Sequence, residues 1–176
     1  GEQAIAEAIA TQPEDITKRI DQMERLAAMG LPYGLDMWDG YAAARERLYD
    51  AVEAAKAHAI VISGDSHAFW ANELHDDDGA LRAVEFGATG ITSPGAGDSV
   101  KSLPVGDLYM KGAKEIIYSD HDAKGFVLLT LTADEARGDL MTVSSIFSKD
   151  YETAVRKAFT VAPSEAGVTP LKAVEG

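Results

Sequence analysis

The stretch His58-Ala59-Ile60-Val61-Ile62-Ser63-Gly64-Asp65-Ser66-His67 constrains the fold more than any other part of the chain. Its short apolar run, rich in β-branched residues, predicts a buried strand. The run stops at Gly64, which opens a loop carrying a carboxylate and an imidazole two residues apart. Open α/β folds put their chemistry on such loops, at the carboxyl ends of central strands. Two chemistries compete for it. Asp65 and His67 supply the oxygen and nitrogen donors that a hard or borderline metal ion takes, whereas Ser66 suits a nucleophile. A third reading gives the loop no chemistry, with Asp65 capping a turn and His67 a satisfied polar side chain.

The flanking segments set the architecture. Residues 1–30 read as helical, with Pro13 in a first turn, Ile16, Ile20, Met23 and Leu26 on one face, and Gly30 and Pro32 as the stop. After an irregular connection over 35–41, Tyr41, Ala44, Leu48, Val52 and Ala55 predict one face of a further helix, with Asp39 as its N-cap. Asp76-Asp77-Asp78-Gly79 reads as a turn, Ala83–Ala88 as a second strand, and 104–112 as a short helix. From residue 115 onward, Glu115–Tyr118, Gly125–Leu131, Leu140–Ile146 and Thr153–Val161 have the spacing of antiparallel strands. Between the first two, Asp120-His121-Asp122 reads as a solvated hairpin turn. The pairs Trp38/Tyr41 and Phe69/Trp70 read as core or pocket wall.

At 176 residues this is one domain's worth of chain, and 46% apolar residues suffice for a core. No run approaches the ~18 apolar residues that a membrane helix needs. A net charge of −13 argues against a nucleic-acid partner, which would require a basic stripe. The cysteine count is zero, which excludes thiolate ligands and cysteine nucleophiles in these residues. A serine esterase would need a histidine base oriented by a carboxylate. Three residues before His121 stands Tyr118 rather than an aspartate, and Asn72 is the only asparagine available for an oxyanion hole.

Several blocks together resemble one family. Leu35-Asp36-x-Trp38-Asp39-Gly40-Tyr41 with Arg45-Glu46-Arg47-Leu48 is similar to the Trp-Asp-Gly-Tyr segment of PhoD-like alkaline phosphatases, within the metallophosphoesterase superfamily. Val61–Leu74 resembles that family's Gly-Asp-x-His strand-loop with its trailing Trp-Ala, and Val84-Glu85-Phe86, Ile91–Gly95 and Lys124–Val127 continue the match. The resemblance runs from about residue 31 to 161. It implies an α/β class, specifically the C-terminal half of a metallophosphoesterase-type α/β sandwich, with helices first and then mixed and antiparallel strands. Residues 1–161 would be a partial catalytic domain and 162–176 a C-terminal tail.

By the same resemblance the full enzyme hydrolyses phosphate mono- or diesters with iron and calcium ions, and is periplasmic or secreted. Asp65 and His67 become metal ligands. Asp39, Trp70 and Glu85 are assigned to the layer behind them, with helix capping as the competing role for Asp39. The family's other ligands, a cysteine among them, have no counterpart in this sequence. Together with a start at Gly1-Glu2-Gln3 rather than Met, this leads to the expectation of a piece of a longer protein. Its partners would be a phosphoester substrate and the missing N-terminal half or a partner chain covering an unpaired sheet edge. Such a piece is expected to be inactive alone. A non-catalytic binding or structural domain is the alternative.

Overall fold

The computed structural model describes residues 2–31, 34, 36–100 and 103–175. Pro32 and Leu35, used above as a helix stop and as part of a motif, lie outside the described residues. The N-terminal helical region is two helices, α1 (Glu2–Ala10) and α2 (Glu14–Ala28), with Pro13 as the N-cap of α2. Ile16, Ile20, Met23 and Leu26 form its half-buried stripe. Gly30, at φ 66°, closes the helix, where Leu31 N donates to Leu26 O and Gly30 N to Ala27 O. That pair of bonds is a Schellman motif, which requires a left-handed residue at this position.

A 3-10 turn (Trp38–Tyr41) leads into α3 (Ala42–Ala54). Two expectations fail here. Tyr41 is the N-cap of α3 and makes no side-chain cap bond, while Asp39 pairs with Arg45 Nη1 at 3.0 Å. The buried residue of α3 is Tyr49, with Arg45 and Glu46 beside it half-buried, whereas Tyr41 and Leu48 are exposed. Long charged stems can cover apolar surface, so the helix face turned inward does not coincide with its apolar stripe. Trp38 is exposed as well, and of the two roles expected for it, core or pocket wall, it has the second, lining an open depression with Tyr41.

Among the described residues, eight strands build two four-stranded sheets. The first contains β1 (Ala59–Ser63), β2 (Phe69–His75), β3 (Leu81–Gly87) and β4 (Ile116–Asp120), in the order β1-β3-β2-β4. Between β3 and β4 lie α4 (Ala96–Ser99) and α5 (Val105–Gly112). The second sheet contains β5 (Gly125–Leu131), β6 (Ala136–Val143), β7 (Thr153–Val161) and, after the short hairpin β8 (Pro163–Ser164) and β9 (Gly167–Val168), β10 (Lys172–Ala173), in the order β10-β7-β6-β5. Residues expected as a tail therefore fold back: β10 pairs with β7, Val168 is buried, and Leu171 N donates to Glu73 Oε1 at 2.8 Å.

The two sheets share one core. Phe69, Ala71, Val84 and Phe86 of the first meet Ala136, Leu140, Phe159 and Val161 of the second. Gly138 allows a close approach, since a Cβ there would lie 2.6 Å from the Phe86 ring. The mixed α/β class is as expected, but β1 is not a buried strand. It has β3 as its neighbour on one side and forms the edge of its sheet, with Ile62 62% exposed. An apolar run reports that a strand is suited to burial. It does not report which strand lies next to it.

Candidate functional site

Strand register brings four strand ends to one sheet edge. β1 and β3 are parallel, with Ser63 opposite Gly87, so both end there. β2 is antiparallel to β3, with Trp70 opposite Gly87, so it begins there. Phe69 opposite Asp120 puts the end of β4 at the same edge. The segments Gly64–Ala68, Ala88–Gly95 and His121–Lys124 consequently emerge side by side. The buried Thr89 hydroxyl joins them, lying 3.1 Å from His67 O and 2.9 Å from Ala123 O. Its single proton serves one carbonyl at a time.

The loop after β1 is held in an unfavourable backbone conformation. Asp65 has φ 67° and His67 φ 56°, both in the left-handed region. Asp and His tolerate this region better than most residues, yet each left-handed residue still costs about 1–2 kcal/mol. Specific bonds offset that cost. His67 Nδ1 lies 2.7 Å from Pro94 O, and Trp70 Nε1 donates to Ser66 Oγ at 2.7 Å. A carbonyl can only accept, so Nδ1 carries a proton, and in the neutral tautomer this leaves the lone pair on Nε2. Metal-binding histidines are oriented in this way, the second nitrogen donating to a carbonyl or carboxylate. Gly95 lets the loops approach, because a Cβ there would come within 2.7 Å of His67 O.

Sequence reasoning placed Trp70 behind this loop but missed His121 and Tyr109. His121 is 5% exposed and stacks on Tyr109 of α5, with ring centroids 5.1 Å apart and planes 7° apart. Trp70 presents edge-to-face geometry to His121 at 5.0 Å and to Tyr109 at 5.1 Å. Burial lowers the His121 pKa below the ordinary 6.5, against the opposing pull of Asp120 and Asp122. The imidazole is therefore neutral near pH 7.

The solvated hairpin turn expected around His121 does not exist. β4 and β5 belong to different sheets, so Ser119–Gly125 crosses between layers, with Asp120 and His121 buried. Asp120 accepts from the backbone of Asp122 (2.9 Å) and Ala123 (3.0 Å) and from Arg156 Nε (2.8 Å), a residue of β7. Burial by itself would raise its carboxyl pKa. The two backbone N–H groups and the Arg156 guanidinium outweigh burial and hold the group below the usual carboxylate range. Nothing in a local Asp-His-Asp pattern announces an arginine 36 residues away.

Of the residues assigned to the layer behind the ligands, Trp70 bonds directly to the loop. Glu85 Oε2 accepts from Asn72 Nδ2 at 2.8 Å, and Asp39 pairs with Arg45. Ser66 Oγ accepts from an indole N–H, which cannot act as the base that a serine nucleophile needs. Asp65 and His67 fit a metal by donor type. Among the described residues no group of three or more His, Asp or Glu side chains is placed to hold an ion, so the pair would fill less than half of an octahedral shell.

Comparison with known proteins agrees with the motif reading. The family model described as PhoD-like phosphatase matches residues 4–140. Alkaline phosphatase D of Bacillus subtilis (strain 168) is 28% identical over 141 residues, which is 77% of this chain and 24% of that protein. A solved structure described as "Structure of PhoD" superposes with a TM-score of 0.64 at 26% identity, covering 80% of this chain and 27% of that one. The chain thus spans about a quarter of the length of the relatives it matches. Among the described residues no helix is long and apolar enough to cross a membrane.

Proposed function

The chain belongs to the PhoD-like phosphatase family, and from that premise we propose that it carries part of the metal centre of a phosphoester-hydrolysing enzyme. Asp65 and His67 are its contribution, and the remaining ligands come from polypeptide outside these residues. The observation that carries this reading is the His67 ring. Its Nδ1 is committed to Pro94 O, which leaves Nε2 as a ready donor beside a carboxylate on the same strained loop.

In this reading the loop binds and orients, and Trp70 holds it through Ser66. An ion bound there would supply Lewis-acid polarisation of a phosphoryl oxygen. The family resemblance supports iron and calcium as the ions, phosphate mono- or diesters as substrates, and export from the cytoplasm. The exposed edge of β1 and the exposed Phe126, Leu128 and Val155 on the second sheet are consistent with further polypeptide covering this domain.

The test is metal content and turnover together. Asp65→Asn and His67→Ala should each lower the calcium and iron retained after gel filtration, and the chain alone should not hydrolyse an aryl phosphate. Equal metal retention in both variants would contradict the ligand assignment. Metal-dependent, Asp65-dependent turnover by the chain alone would contradict the partial-centre reading.

A further inference from the structure

Among the described residues, neither ring nitrogen of the buried His121 has a hydrogen-bond partner. What the imidazole contributes is therefore its flat surface, stacked on Tyr109 and set against the edge of Trp70. The far side of that contact matters. The Trp70 indole N–H is the donor that holds Ser66 Oγ, and Ser66 lies between the two left-handed residues Asp65 and His67. Gly97 lets His121 seat this deeply, since a Cβ there would collide with the Asp122 carboxylate and come within 2.5 Å of His121 O.

We propose that His121 is a positioning residue for the Asp65/His67 loop, acting as an aromatic wedge that fixes Trp70, which in turn fixes Ser66. The link to metal binding rests on the function proposed above. The link to loop order does not.

Backbone 15N relaxation on the chain separates the two. In His121→Ala the order parameters of Asp65, Ser66 and His67 should fall from about 0.85 to below about 0.6, with β6 and β7 unchanged. His121→Phe should keep the wild-type values, because a flat ring suffices. Apparent Mn2+ affinity should weaken about tenfold in His121→Ala, the usual scale for losing a supporting residue, and recover in His121→Phe. An ordered loop in His121→Ala, a loss spread evenly over both sheets, or a phenylalanine variant as loose as the alanine one would overturn the proposal. Should His121→Ala fail to fold, Trp70→Phe breaks the same chain one link further on, and an ordered loop there overturns it equally. If the wild-type chain binds no Mn2+, the metal reading falls while the order parameters still decide the positioning role.

Discussion

The His67 ring lies with Nδ1 2.7 Å from the Pro94 carbonyl, 27 residues further along the chain. Two loops that leave β1 and β3 at the same sheet edge are tied together by one proton, which also fixes the tautomer. The lone pair is therefore committed to Nε2 before any ligand arrives. The bond joins a loop that holds two left-handed residues, Asp65 and His67.

That strain yields a prediction in which stability and binding part company. Asp65 is exposed at φ 67°. Asp65→Gly should therefore stabilise the fold by about 1 kcal/mol, or about 2–4 °C in Tm for a domain of this size, while losing metal affinity. Thermal melts with and without Mn2+ read both effects. A destabilised variant would show that the loop conformation is relaxed.

Acid sensitivity should report His121. Its folded pKa lies below the ordinary 6.5, so as pH falls the unfolded chain takes up the proton first. The stability contribution is complete above pH 6.5 and is lost as pH drops from there towards the lowered folded value. The urea midpoint should fall across this window in the wild type and fall less in His121→Phe, which should also be the more stable protein because it buries no unpaired nitrogen. Asp120, likewise depressed, adds a second loss below its ordinary 3.8, as pH falls through its folded value. Identical pH slopes in the two proteins would contradict a buried neutral imidazole.

Two glycines near the site should respond in opposite ways. Gly97→Ala meets the His121 backbone and should cost about 1–3 kcal/mol. Gly64→Ala meets nothing within 4 Å, and its backbone is not left-handed, so it should be neutral or stabilise by about 0.4–1 kcal/mol. Denaturant midpoints distinguish the two. A tolerated Gly97→Ala would mean that the 121–122 segment can move away from α4.

Much of this was legible in the chain because local pattern and tertiary role coincided. β5 and β7 match the β-rich runs Gly125–Leu131 and Thr153–Val161, and the Gly-Asp-Ser-His block falls at a strand end as its motif implies. Other elements were hidden by long-range pairing. β2 did not read as a strand because Asn72 and Glu73 interrupt it, yet Asn72 bonds Glu85 on β3 and Glu73 receives Leu171 N. β6 begins at Ala136 rather than Leu140 because Arg137 and Asp139, paired at 2.7 Å, carry the strand through a polar stretch. His121 was unreadable for the same reason. Its burial depends on α5, β2 and α4, and a local reading of Asp120-His121-Asp122 shows none of them.

The most direct test of the central claim is paramagnetic broadening of the 15N-labelled chain on titration with Mn2+. The account predicts broadening centred on Asp65 and His67 that disappears in Asp65→Asn and His67→Ala. Broadening centred on the acidic turn Asp76–Asp78, or surviving in both variants, would contradict the assignment of these two residues as metal ligands.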